Sequence, residues 1–231
     1  MTTALKDYCK TLGADCAGVA DLGPFKQGWV VLPEDLLTPY TRAVSVAKRL
    51  DNEIMNLLTN GPTVEYAGHY REVNGVLDGI TAGIVAWIER QGHQAKAVPA
   101  SFITDETNLL GNISHKAVAR MAGIGWQGKS LLIVNPQYGP RIRLATVLTD
   151  MPLLPDQPLK NQCGACAECS KACPAQAIKN VSTTDRYKDR NEALHFSLCA
   201  EQTLRNKAMP GIGARICGIC VKVCPFGRKQ R

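Results

Sequence analysis

Apolar residues recur at three-to-four spacing through Val73, Leu77, Ile80, Ile84, Trp87 and Ile88, which predicts an amphipathic helix over Tyr70–Gln91 with Gly92 as its stop. Shorter stretches surround it. Leu5–Leu12 and Ser114–Met121 read as helices, while Cys16–Ala20, Ala43–Ala47, Leu131–Val134 and Ile142–Leu148 read as strands. Such alternation predicts an α/β layer domain over residues 1–150. The prolines at 152, 155 and 158 each hold the residue before them extended, so 151–158 reads as a stiff linker. After it the periodicity gives way to short loops anchored by cysteines, which sets off a third region, 159–231, as a ferredoxin-like domain.

Those cysteines carry the chemistry. Eight of the ten fall in one pattern: Cys163, Cys166, Cys169 and Cys173 spaced C-x2-C-x2-C-x3-C-P, then Cys199, then Cys217, Cys220 and Cys224 spaced C-x2-C-x3-C-P. In bacterial two-cluster ferredoxins the cysteine before the proline ligates the other cluster. Applied here, that rule assigns Cys163, Cys166, Cys169 and Cys224 to one 4Fe-4S cluster and Cys173, Cys199, Cys217 and Cys220 to the other. Zinc sites usually pair C-x2-C units across a long gap, and a disulfide framework needs an oxidising compartment, so both fit poorly. Cys9 and Cys16 lie far from the pattern and read as packing residues.

Charge and composition narrow the picture further. An apolar content of 45% is enough for a proper core in the first region, which the cysteine-rich tail could not build alone. The formal charge of +7 looks like a nucleic-acid footprint, but two clusters at about −2 each bring the loaded protein to roughly +3. The terminal run Arg228-Lys-Gln-Arg231 therefore reads as a solvated tail. Neither the N-terminal residues nor any later stretch has the apolar run of a leader or a membrane span, which predicts a cytoplasmic protein without membrane contact.

Gly123-Ile-Gly-Trp-Gln-Gly128-Lys129-Ser130 satisfies two nucleotide-binding strings, G-x-x-x-x-G-K-[ST] and G-x-G-x-x-G. Both work by aiming the N-terminus of a following helix at phosphate. Here the predicted order is helix, loop, strand, with Gly123 as a helix stop, so no positive helix end faces the loop.

The same loop, followed by Tyr138-Gly139-Pro140, Leu144–Thr149, Leu153-Leu-Pro-Asp156 and the cysteine run, resembles the epoxyqueuosine reductases, which are related to the reductive dehalogenases. The likeness extends upstream through His69-Tyr70-Arg71, Arg42–Val46, Leu12-Gly13 and Gly18-Val19. It implies an N-terminal corrinoid-binding α/β domain ahead of a bacterial-type two-cluster domain, with cobalamin bound base-off. Gly125, Trp126, Gly128, Lys129, Ser130, Asn135 and Gly139 would line the corrinoid. None of His69, His93, His115 and His195 lies in the D-x-H-x-x-G setting of histidine-ligated corrinoid modules. A flavin in the N-terminal pocket is the alternative cofactor.

The resemblance implies an iron–sulfur reductase that takes electrons from a ferredoxin or flavodoxin and passes them through both clusters to cobalamin. Relatives carry a proton-donating aspartate in an Asp-x-x-x-x-x-Glu-Arg stretch, yet the matching position here is Leu109, with Asp105 and Glu106 one turn earlier. Asp105 and Tyr70 are the candidate donors. Relatives also continue into a helical extension that helps hold tRNA, whereas this chain stops seven residues after Cys224. Both departures weigh against a tRNA substrate. They favour a small molecule, or a non-catalytic carrier that reduces corrinoid or flavin on a partner protein.

The inverted order around Gly123–Ser130 predicts that Lys129→Ala leaves ATP affinity unchanged in calorimetry. Submillimolar ATP binding abolished by that substitution would restore the nucleotide reading. Replacing Cys9 and Cys16 by serine should cost no iron, as measured by metal analysis.

Overall fold

The computed structural model describes residues 1–228. In chain order the elements are α1 (Thr2–Thr11), β1 (Cys16–Asp21), a 3₁₀ turn (Pro24–Gln27), β2 (Arg42–Arg49), α2 (Asn52–Leu57), α3 (Val64–Arg90), β3 (Ala95–Val98), α4 (His115–Met121), β4 (Trp126–Gln127), β5 (Ile133–Val134), β6 (Ile142–Thr149), α5 (Glu168–Lys171), α6 (Arg190–Ala193), α7 (Phe196–Lys207) and α8 (Ile219–Val223). The fold is mixed α and β. Among the described residues no helix is long and apolar enough to cross a membrane. The basic tail expected at 228–231 lies, beyond Arg228, outside the described residues.

The chain forms two compact units, each assembled from three stretches: 1–48, 73–124 and 143–159 in the first, and 49–72, 125–142 and 160–231 in the second. These boundaries differ from the contiguous division expected at 150 and 158. Periodicity reports the local conformation of a stretch but not which stretches pack together, so the exchange of segments between units leaves no mark on it.

The first unit centres on a sheet of order β1-β2-β6-β3. β1 runs antiparallel to β2 with Cys16 opposite Ala47, and β3 antiparallel to β6 with Ala95 opposite Thr149. Val19, Ala20, Val44, Val46, Ala145, Val147 and Leu148 are buried on it. The expected stripe of α3 is buried at Val73, Leu77, Ile80, Ile84 and Ile88, each worth about 1.5–3 kcal/mol. Trp87 departs from it, being half-buried and stacked on Tyr8 at 6.1 Å. The helix starts at Val64, before the expected Tyr70, and Gly92 beyond its end takes φ +82°. Ser114 caps α4 by accepting the Ala117 N–H, and His115 joins that helix to β6 through Thr146 Oγ1 at 2.8 Å and to the Pro99 carbonyl at 3.0 Å. Because the carbonyl can only accept, Nε2 is the donor and Nδ1 takes the Thr146 hydroxyl. Burial lowers the His115 pKa and keeps it neutral.

The proline-rich segment 151–158 forms neither helix nor strand, but it is not a free linker. Met151 and Leu153 are buried, the Arg42 Nε donates to the Leu153 carbonyl at 2.8 Å, and Asp156 accepts from the Val19 N–H at 2.8 Å and from Lys6 Nζ at 2.6 Å. The prolines set its shape, and α1, β1 and β2 supply the partners that hold it.

In the second unit β4 and β5 form a hairpin, Trp126 opposite Val134, so the strand expected at Leu131–Val134 shrinks to its last two residues. Leu131 takes φ +60° in the connecting turn. α8 packs against α5 and α2. Lys222 of α8 donates to the Leu58 carbonyl that follows α2.

α1 and α4 both pack on β1. A Cβ at Gly18 would lie 2.0 Å from the Ala122 carbonyl oxygen at the end of α4. Gly18→Ala should therefore destabilise the first unit by about 3 kcal/mol or more, read as a lowered urea midpoint.

Candidate iron–sulfur centre

Cubane ligation requires thiols from distant stretches to converge, and the second unit brings the eight expected cysteines together. None of the eight is in a disulfide, and all are half-buried. Their mutual electrostatic influence sorts them into two sets. The Cys224 thiol is pushed up to about 12 by burial and by Cys163, Cys169 and Cys166, and Cys169 is raised by burial and by Cys163 and Cys166. Cys217 is raised by burial and by Cys173, while Cys220 is raised strongly by burial and then by Cys217, Cys199, Cys169 and Cys173. The Cys220–Cys169 coupling is the one that crosses between the sets.

Among the described residues no three His, Cys, Asp or Glu side chains converge on one point as a single ion requires. A cubane makes no such demand, because each thiolate binds a different iron corner. The residues present therefore fit two clusters.

Local structure explains how the loops hold their shape. Asn161 Oδ1 accepts the Cys163 N–H at 2.8 Å and its amide donates to the Gln127 carbonyl at 2.9 Å, tying the first ligand to β4. The Ala177 N–H donates to Cys173 Sγ at 3.3 Å. Cys169, Cys173, Cys199 and Cys220 pack against an apolar cluster of Leu131, Ile178, Tyr187, Ala193 and Leu194. Tyr187 donates to the Val181 carbonyl at 2.6 Å, and burial together with Cys163 and Cys169 lifts its hydroxyl to about 12.

The glycine-rich loop belongs to this centre. Trp126 is buried at 1% exposure, sets its ring edge-on to Phe226 at 4.9 Å and donates its indole N–H to Cys163 Sγ at 3.4 Å. Lys129, buried at 4%, donates to the Cys166 carbonyl at 2.9 Å and to Asn180 Oδ1 at 3.0 Å. A Cβ at Gly128 would stand 3.6 Å from Cys163 Sγ, one at Gly125 2.4 Å from the Val134 carbonyl, and one at Gly139 1.9 Å from the Phe226 carbonyl. Asn135 accepts the Gln137 and Tyr138 N–H groups and forms a bridge with Gly139, and Ser130 sits half-buried in the hairpin turn. The polar atoms of Trp126, Lys129 and Asn135 are engaged inside the unit, and the glycines make room for neighbouring backbone.

The two candidate donors lie apart in the organisation of the chain. Asp105 is in the first unit, in a loop closed by paired backbone bonds to Leu110, and its carboxylate accepts from the Asn108 N–H at 2.9 Å and Asn108 Nδ2 at 2.7 Å. Tyr70 is half-buried on the part of α3 counted with the second unit.

A further residue of this centre escaped the sequence reading. Arg141 is 3% exposed, and its guanidinium donates to Asn52 Oδ1 at 2.7 Å, Asn56 Oδ1 at 3.1 Å and the Lys222 carbonyl at 3.0 Å. Burial lowers its pKa, and Cys224 couples to it in the opposite sense. No local motif marks it, since its partners are 81 to 89 residues away.

Comparison with known proteins agrees with this centre. Residues 162–227 match the family described as a 4Fe-4S double cluster binding domain. The chain is similar to epoxyqueuosine reductases. It is 36% identical to that of Bacillus anthracis over 117 residues, 50% of this chain and 30% of the relative. Among solved structures, a reductive dehalogenase described as suggesting a mechanism for B12-dependent dehalogenation matches with a TM-score of 0.76 at 21% identity, covering 98% of this chain and 32% of that one. An epoxyqueuosine reductase bound to an epoxyqueuosine-modified tRNA-Tyr stem loop matches with a TM-score of 0.63 at 22% identity, covering 98% of this chain and 65% of that one. The chain thus spans less than two thirds of each of these relatives, and the structural likeness bears on the fold alone.

Because burial and neighbouring thiols keep Cys169, Cys217, Cys220 and Cys224 protonated past their ordinary range, and only thiolates bind iron, cluster loading releases protons. In vitro loading should improve from pH 7 to pH 9, and a pH indicator in weak buffer should record the protons released. Lys129→Met, which leaves the Cys166 carbonyl without its donor, should weaken cluster retention by about 1–3 kcal/mol. That reads as about tenfold or greater faster iron loss to a chelator.

Proposed function

We propose that the protein is an iron–sulfur redox protein that carries two 4Fe-4S clusters and delivers electrons, received from a ferredoxin or flavodoxin in the cytoplasm, to a cobalamin-linked reductive reaction of the epoxyqueuosine reductase kind. The observation that carries this reading is the sorting of eight thiols into two coupled quartets, with Cys163, Cys166, Cys169 and Cys224 as ligands of one cluster and Cys173, Cys199, Cys217 and Cys220 of the other. The double-cluster family match supports it. The likeness to the dehalogenase whose chemistry is described as B12-dependent supports cobalamin as the acceptor. Cobalamin, when bound, supplies a metal centre that accepts single electrons and passes them to a C–O or C–halogen bond. The hairpin around Trp126 serves the clusters in this reading.

Asp105 is the proposed proton donor, with Tyr70 as the second candidate. Its bonds to Asn108 hold it in an apo arrangement, and catalytic hydrogen bonds often tighten only when substrate is present. The same commitment to Asn108 favours the second reading, a non-catalytic carrier that reduces corrinoid or flavin on a partner. A tRNA-borne epoxide, as in the stem-loop complex, and a small molecule are the substrates to assay.

Iron, zinc and cobalt analysis with an anaerobic absorption spectrum tests the redox reading. About eight irons per chain are expected. Stoichiometric zinc, or four irons, would overturn the ligand assignment. Asp105→Asn should lower turnover of an assayed substrate by about a hundredfold while leaving dithionite reduction of the clusters intact. Unchanged turnover would remove Asp105 from the chemistry and leave the carrier reading.

A further inference from the structure

The two proposed clusters sit in unequal electrostatic surroundings, and the inequality resides in residues other than their ligands. Resting on the two-cluster reading, we infer that the cluster of Cys163, Cys166, Cys169 and Cys224 has the higher reduction potential, and that Trp126 and Arg141 are the residues that raise it.

Reduction places one more negative charge on a cubane, with no bond broken and no proton moved. Any fixed donor or cation near the sulfurs stabilises the reduced state more than the oxidised one. The first quartet has three such groups, all buried. The indole N–H of Trp126 points at Cys163 Sγ at 3.4 Å, and Lys129 Nζ lies on the Cys166 carbonyl at 2.9 Å. Arg141 is a buried cation whose hydrogen-bond acceptors, Asn52, Asn56 and the Lys222 carbonyl, are all neutral, and whose Nε has no partner. Nothing among those acceptors cancels its charge. It holds the carbonyl of Lys222, two residues before Cys224, so its field falls on the last ligand of this quartet.

The second quartet is differently supplied. Three of its thiols, Cys173, Cys199 and Cys220, pack together with Cys169 of the first quartet on the apolar cluster of Leu131, Ile178, Tyr187, Ala193 and Leu194, and its sulfur donors are backbone N–H groups, Ala177 to Cys173 at 3.3 Å and Ile219 to Cys217. Arg190, stacked 3.7 Å over Phe196, and Arg215, on the Ala200 carbonyl at 3.4 Å, are cations set against the helix that carries Cys199, and both are half-exposed, as is Lys222, while Lys171 is exposed. Water and salt screen their charge, whereas the buried Arg141 and Lys129 are screened much less. An apolar wall without a buried cation disfavours the more highly charged reduced state. Electrons entering the chain should therefore collect on the quartet closed by Cys224.

The experiment is an anaerobic potentiometric titration of the cluster-loaded full chain, followed by electron paramagnetic resonance. Cys166→Ser and Cys217→Ser, each altering the signal of its own cluster, assign the two waves. The wave altered by Cys166→Ser should be the more positive. Trp126→Phe, which keeps the ring against Phe226 and removes the N–H, and Arg141→Gln should each lower that wave alone. The expected size is up to about a tenfold change in the reduction equilibrium, or about 59 mV for one electron. Arg141→Lys should retain most of the wild-type value. The opposite order of the waves, an equal shift of both, or no shift in a chain that still holds about eight irons would overturn the inference and leave the two-cluster reading standing. A wild-type chain that shows fewer than two cluster waves would overturn both. Should Trp126→Phe fail to load iron, the Arg141→Gln and Arg141→Lys pair decides the question by itself.

Discussion

Collecting eight thiols into two small volumes is the constraint on which the second unit depends. Burial and mutual repulsion oppose ionising them, as the raised thiols at Cys169, Cys217, Cys220 and Cys224 record, yet only thiolates ligate iron. The segment that carries them has little regular structure to spend on the task. Its helices α5, α6 and α8 are four, four and five residues long. Such elements cannot hold their positions by their own helical stability, since isolated helices shorter than about 12 residues are marginal in water.

The bracing comes from elsewhere in the chain. The β4–β5 hairpin supplies Trp126 to Cys163 and Lys129 to Cys166, and Arg141 ties α2 to the C-terminal carbonyls of α8 just ahead of Cys224. Gly139 and Gly227 allow the chain after β5 and the chain after Cys224 to touch backbone to backbone, where a Cβ on either would overlap a carbonyl. A lysine and an arginine that are almost wholly buried cost desolvation energy, and neutral carbonyls and amides offset part of it. Placing those charges beside cysteine loops is what makes the arrangement sensible, because bound clusters are anionic.

The first unit follows a different economy. Its sheet and the buried face of α3 provide an ordinary apolar core, and its polar contacts serve packing: neutral His115 between Thr146 and the Pro99 carbonyl, Asp156 on the edge of β1. The proposed proton donor, Asp105, stands in this unit, in a loop that its own carboxylate helps to close.

Much of this was legible in one dimension. The cysteine spacing, with proline after Cys173 and Cys224, anticipates the double-cluster segment because cubane ligation is dictated by loop length. The three-to-four stripe from Val73 to Ile88 anticipates α3 because burial of one face imposes that period. The helix before Gly123 and the strand after Ser130 are likewise anticipated on local grounds alone. Other features had no local signature. Trp126 and Lys129 look like ligand-facing residues of a glycine-rich loop, and only folding, by laying Cys163 and Cys166 against them across 37 residues, makes them braces of the cluster loops. The exchange of segments between the units, the anchoring of 151–158 and the burial of Arg141 are likewise settled by contacts between distant stretches. Periodicity and spacing encode what a residue does to its near neighbours, whereas the partner of a buried polar group is chosen by the tertiary fold.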